Sequence, residues 1–207
     1  MNIYLSNYLN VTKDEEFLLA VPTTESQREI WNSISFEPMA SLAFNESIVI
    51  EFDGVLDIFA LKKGINDLIE RHTILRSVFS SDGQYQFVRK NFTFDLSHFD
   101  ISTEMNPSSI FRKIQEDEIN REFDLVYGPI IRFLLVTESS DKNYLLISAH
   151  HLICDGWSWA AINSDLGYFY NCHKFNRLPQ LKPAYQFWQF VQKQREFKAE
   201  NERSIQY

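Results

Sequence analysis

Apolar positions along the chain repeat at two spacings, every second residue and every third or fourth, and the changes between them outline its elements. Ser47 to Phe52 alternates as a half-buried strand does, and Gly54 ends it. Ile58, Leu61, Ile65, Leu68 and Ile69 then share one helical face, with Asp57 placed to cap it and Arg71-His72 near its end. Ile74 to Phe79 reads as a strand, Ser81-Asp82-Gly83 as a turn, and Tyr85 to Val88 as the returning arm of a hairpin. A further strand is expected between Phe92 and Phe99. Asn106-Pro107 starts a helix whose buried stripe is Ile110, Phe111, Ile114 and Ile119, and Gly128-Pro129 closes the segment. Ile130 to Val136 and Tyr144 to His150 flank the polar stretch Ser139 to Asn143 and predict a second hairpin. Its second arm is almost continuously apolar, which suits a strand buried on both faces.

Beyond His150, Trp159, Ile162, Leu166, Phe169 and His173 return to helical spacing, so the chain turns at Asp155 and Gly156 into a helix. Upstream, Thr23 or Thr24 caps a helix that starts at Glu25. Tyr4, Leu5, Tyr8 and Leu9, followed by Asp14-Glu15-Glu16, suggest a linker or docking segment over residues 1–20. At the other end, Asn176 to Pro183 reads as a loop, and Tyr185, Trp188 and Val191 lie on a helical face that runs into a charged stretch from Lys193 to Arg203. No internal repeat or low-complexity tract interrupts this order.

Composition narrows the class. The 207 residues fit one domain or one lobe of something larger, and 44% hydrophobic residues with 18 Phe can bury a substantial core. A formal charge of −8 argues against nucleic-acid binding, which needs clustered Lys and Arg. No stretch approaches the ~20 apolar residues of a membrane span, and Asn2 and Asn7 stand where a signal peptide would carry positive charge. Cys154 and Cys172 lack metal-ligand spacing and form no disulfide framework, so a reduced cytoplasm is expected.

Candidate chemistry concentrates in Ser148-Ala-His-His-Leu-Ile-Cys-Asp-Gly-Trp-Ser158. If His150 and His151 end a strand, their side chains point to opposite faces, so they do not form a two-ligand metal clamp and only one can meet a given substrate. Asp155 can cap the following helix, and Gly156 is a turn glycine without a side chain. Cys154 has an apolar flank that disfavours a nucleophile or metal ligand. His72, His98 and His173 are expected to be structural or exposed.

The stretch HHLICDGWS resembles the HHxxxDGWS core of the condensation domains of nonribosomal peptide synthetases, within the chloramphenicol-acetyltransferase-like superfamily. Ser26-Gln-Arg-Glu-Ile-Trp31 is similar to the family's SxxQxxxW-type motif, Arg71 to Phe79 resembles its RHExLRTxF motif with Thr73 in place of Glu, and Tyr185 to Gln192 loosely matches YxDFAxWQ. The resemblance covers roughly residues 20 to 195. It implies an α/β two-layer sandwich with a mixed β-sheet and flanking helices, of which residues 21–207 would be the N-terminal lobe only. It also implies amide formation between two thioesters carried on phosphopantetheine arms, with a C-terminal lobe and upstream and downstream carrier domains as partners and no cofactor or metal held by this lobe.

On that resemblance His151 matches the catalytic histidine, as base or as positioning group. Gly156 leaves the channel open and offers a backbone N–H at a helix start to a developing oxyanion. His150 becomes a packed structural residue and Asp155 an ion-pair partner of Arg76 before Arg71; Trp157, as an aromatic residue, is expected in the core rather than in contact with substrate. The pairing of Trp157 with Gly156 resembles condensation rather than epimerisation members. Met39 to Ser47 resembles the condensation domains of mixed polyketide-peptide synthetases. Two alternatives are a stand-alone CoA-dependent acetyltransferase, whose comparable motif would lie closer to the C-terminus, and an inactive carrier-docking module.

Overall fold

The structure is a computed structural model and describes residues 16–205 apart from 93 and 95. In chain order its elements are β1 (Phe17–Pro22), α1 (Glu25–Phe36), β2 (Asn45–Asp53), α2 (Ile58–Arg71), β3 (Ser77–Phe79), β4 (Tyr85–Arg89), β5 (Leu96–Asp100), α3 (Pro107–Ile119), β6 (Ile131–Ser139), β7 (Lys142–His150), α4 (Gly156–Lys174) and α5 (Phe187–Ile205). Short 3-10 turns, Pro38–Phe44 and Thr73–Arg76, precede β2 and β3.

Four strands form the larger sheet in the order β2-β7-β6-β5. The β2/β7 and β6/β7 pairs are antiparallel and β5 runs parallel to β6, so the sheet is mixed, as expected. Strand β7 lies inside it, and its alternate residues serve two cores. Leu145, Ile147 and Ala149 face the principal core with Leu61, Ile65 and Leu68 of α2 and Ile162, Leu166 and Phe169 of α4. Tyr144 and Leu146 face a smaller core with Leu134 and Val136, covered by Ile110, Phe111 and Ile114 of α3. The near-continuous apolar run of β7 follows from burial on both sides. Helices α2 and α4 pack closely because Gly64 leaves room for the backbone of Tyr170, whose N would lie 3.1 Å from an added Cβ.

The second sheet, β1-β4-β3, is antiparallel throughout. It is tied to α1 through Thr23, whose hydroxyl donates to the Gly83 carbonyl at 2.8 Å. Helix α1 begins with a reciprocal cap: Thr24 Oγ1 accepts from Gln27 N, and Gln27 Oε1 accepts from Thr24 N.

Several expectations are corrected. Residues 17–20, read as linker, belong to β1 and pair with β4; the Tyr4 to Leu9 pattern lies outside the described residues. The strand expected from Ile74 is a 3-10 turn as far as Arg76, because Thr73 N and Oγ1 both donate to Gln186 Oε1 and Leu75 N donates to His72 O. Ile119 is exposed at the end of α3, and Tyr185 is exposed ahead of α5.

Candidate active site

The paired histidines sit where β7 gives way to the turn before α4. Strand alternation sends them apart, as their adjacency predicted. His150 lies on the face of Tyr144 and Leu146 and is 0% exposed, with Phe44 and Phe123 packed around its ring. Its Nδ1 accepts the Leu152 backbone N–H at 3.2 Å, which leaves the proton on Nε2, 3.4 Å from Ser41 Oγ. Burial, with a smaller contribution from His151, lowers its pKa to about 4. It is a neutral structural imidazole at ordinary pH.

His151 takes the other face. Its backbone N–H donates to Phe44 O at 2.8 Å, and its side chain keeps 38% of its surface exposed. Nδ1 itself is buried, 2.7 Å from Glu46 Oε1; the oxygen lies off the direction of an N–H, so the contact is a close electrostatic one rather than an aligned hydrogen bond. The other carboxylate oxygen, Oε2, accepts from Trp159 Nε1 at 2.7 Å. Glu46 reaches this place because β2 and β7 pair Glu46 with Ala149, on the side of the sheet that α4 covers. The turn between the histidines and α4 is held from a third element, for Gln27 Nε2 donates to Leu152 O at 2.9 Å and to Gln86 Oε1 at 3.1 Å.

Asp155 is the N-cap of α4. Its Oδ1 accepts from Ser158 N at 2.8 Å and from Ser158 Oγ at 2.6 Å, and these bonds, the hydroxyl's first, hold its pKa below the usual carboxylate value. The expected pair with Arg76 or Arg71 is not formed. The orphan N–H groups of the helix start have taken the carboxylate. Arg71 instead donates to Asp165 Oδ2 at 2.8 Å and to Lys182 O at 2.6 Å, which fastens α2 to α4 and to the loop before α5. The Arg76 Nε is buried without a hydrogen-bond partner among the described residues, beside a small cavity shared with Arg89 and Tyr127.

Gly156 opens α4, and among the described residues a Cβ placed there would meet nothing within 4 Å, so none of them demands glycine. Trp157, expected in the core, is 84% exposed; it lies in the first turn of α4, while Trp159 packs against the principal core. Cys154 is buried, which pushes its thiol up to about 12 and leaves it protonated and unreactive. His72 and His173 pair with Asp165 and Asp67 at 2.7 Å each, and His98 meets Thr137 Oγ1 at 2.8 Å, structural contacts outside the His151 cluster. Among the described residues no three His, Cys, Asp or Glu side chains gather as a metal site would require, and no helix is long and apolar enough to cross a membrane.

Sequence reasoning missed Glu46, Trp159 and Ser41 as members of the site. One signal for Glu46 was available: Ile48, Ile50 and Phe52 of β2 face the principal core, and Glu46 continues that register as a carboxylate on an inward-facing position.

Comparison with known proteins identifies the family of the chain. Chondramide synthase cmdD of Chondromyces crocatus is 29% identical over 182 residues, covering 85% of this chain and 5% of the synthase. Malpibaldin synthetase of Mortierella alpina is 29% identical over 162 residues, covering 76% of this chain and 3% of the synthetase. Among solved structures, the starter condensation domain of rhizomide synthetase RzmA superposes with a TM-score of 0.79 at 17% identity, covering 86% of this chain and 45% of that one. The chain thus spans a small fraction of these curated relatives and less than half of the solved domain. The family model of the condensation domain matches residues 19–207, and the chain, with His151 and Gly156 at the β7–α4 junction, belongs to the condensation-domain family.

Proposed function

We propose that this chain is the N-terminal, His151-bearing lobe of a condensation domain, which joins a carrier-bound acyl or peptidyl thioester to the amine of a carrier-bound aminoacyl thioester. The observation that carries the reading is His151 itself: one of two adjacent imidazoles is sealed in the core, and the other stands partly exposed beside the open start of α4. An α-amine has a reference pKa of about 8, so it needs orientation and proton removal more than activation. As its nitrogen bonds to the thioester carbon, the imidazole accepts the excess proton. The C–S bond then breaks and the imidazolium gives that proton to the leaving thiolate, which departs as the thiol and restores the neutral ring. Gly156, with a first-turn N–H and no side chain, suits the developing oxyanion.

Two phosphopantetheine arms must reach His151 together, so a C-terminal lobe completes the channel and upstream and downstream carrier domains deliver the substrates. The lobe begins at β1, needs no cofactor of its own, and with both cysteines as free thiols suits the cytoplasm. The test is amide formation from two loaded carriers by residues 1–207, alone and with a condensation-domain C-terminal lobe. Product is expected only with both lobes, and His151→Ala should lower the rate by about 10² to 10⁴ without changing the melting temperature. Acetyl transfer from CoA to a small amine by residues 1–207 alone would overturn the reading in favour of a stand-alone acetyltransferase.

A further inference from the structure

Resting on that reading for its catalytic consequence, we propose that Glu46 is a positioning residue: its carboxylate, steered by the Trp159 indole, holds the His151 imidazole with the proton on Nδ1 and the lone pair on Nε2. The buried Nδ1 of His151 lies 2.7 Å from Glu46 Oε1. In a neutral imidazole each ring nitrogen is either a donor or an acceptor. With the lone pair on Nδ1, two acceptors would face each other at that distance; with the proton there, the contact is attractive. The ring therefore keeps its proton inward, and the basic nitrogen is the one away from the carboxylate.

Glu46 is itself held from several sides. Its second oxygen accepts from Trp159 Nε1 at 2.7 Å, which restrains rotation of the carboxylate. Its backbone is paired with Ala149, and the next contact along, from His151 N to Phe44 O at 2.8 Å, fixes the strand end next to the imidazole. The other acid close by, Asp155, is occupied by Ser158. The neighbouring histidine carries the opposite tautomer, because His150 Nδ1 accepts from Leu152 N. Two adjacent imidazoles are thus set in opposite protonation patterns by different partners, a backbone N–H for one and a carboxylate for the other.

The experiment is nitrogen NMR of the imidazoles in ¹⁵N-histidine-labelled protein, residues 1–207, under alkaline conditions where the rings are neutral, with His151 assigned by its loss in His151→Ala. The same variants are assayed for amide formation with the second lobe present. Wild type should show the proton of His151 on Nδ1. Glu46→Ala should move it towards Nε2 and lower kcat by about tenfold or more with KM little changed, as expected when a base is held in the wrong tautomer. Glu46→Gln, whose amide oxygen still accepts, should recover part of both. Should Glu46→Ala fail to fold, Trp159→Phe decides the matter through a partial shift of the same signal. A wild-type proton on Nε2, or a tautomer unchanged in the variants that fold, overturns the proposal. Full amide formation by His151→Ala would instead defeat the functional reading while leaving the tautomer result to judge Glu46 by itself.

Discussion

A buried imidazole can take up a proton only by carrying charge into a place without water, and His150 has Phe44 and Phe123 around it in place of solvent. Its pKa falls from 6.5 to about 4. The unfolded chain therefore binds this proton at a higher pH than the folded one. The stability due to the neutral ring is fully present above the unfolded value and is lost as pH falls from there towards about 4. Across the whole window this amounts to about 3 kcal/mol, and from about pH 7.5 to about pH 5 it is about 2 kcal/mol. Urea unfolding at those two pH values should show the loss in wild type and a much smaller one in His150→Gln, which cannot titrate. Equal losses would show that other groups carry the acid sensitivity.

Between residue and fold, the junction of β7 with α4 depends on how the helix begins. Asp155 caps it through Ser158, so Asp155→Ala should cost about 1 kcal/mol, the worth of a lost N-cap, rather than the ~3–5 kcal/mol of a broken buried ion pair. Thermal melting distinguishes the two, and Arg76→Ala should not reproduce the effect of Asp155→Ala. The same junction marks where sequence reading succeeds. Both periodic patterns were legible, since β7 is buried on two sides and α2 and α4 each present one apolar stripe. Caps at Asp57 and Asn106 were legible too, and the cap of α1 to within Thr23 or Thr24, because a polar side chain next to a periodic run has a local task. Partners far apart in sequence were not. Arg71 meets Asp165 rather than Asp155, Thr73 meets Gln186, and Glu46 meets His151, and each choice is made by packing of elements that share no local pattern. For Trp157 and Trp159, spacing identified the helix and placed Trp159 on its packed side, while the aromatic character of Trp157 suggested a core that the helix turns away from.

Taken whole, the molecule leaves apolar side chains uncovered on segments that adjoin the site. Phe36 precedes the 3-10 turn that brings Ser41 to His150, Met39 lies within it, and Trp157 follows Gly156; all three are exposed. A C-terminal lobe seated over His151 would cover Trp157. Its addition should shift tryptophan emission to shorter wavelength and reduce acrylamide quenching, with the change largely lost in Trp157→Phe. A spectral change that survives that substitution would place the second lobe elsewhere. The carboxylate that meets both Trp159 and His151 comes from the far side of a long stretch of chain, 113 positions from the indole that it accepts. Contacts of that separation must close a long loop, an entropy cost that rises with the logarithm of loop length and is met before the contact rewards it. No partly folded form with only local helices and hairpins can hold Glu46 beside His151. On a nascent or damaged chain, the same topology leaves the His151 imidazole without its carboxylate neighbour until β2 has docked beside β7.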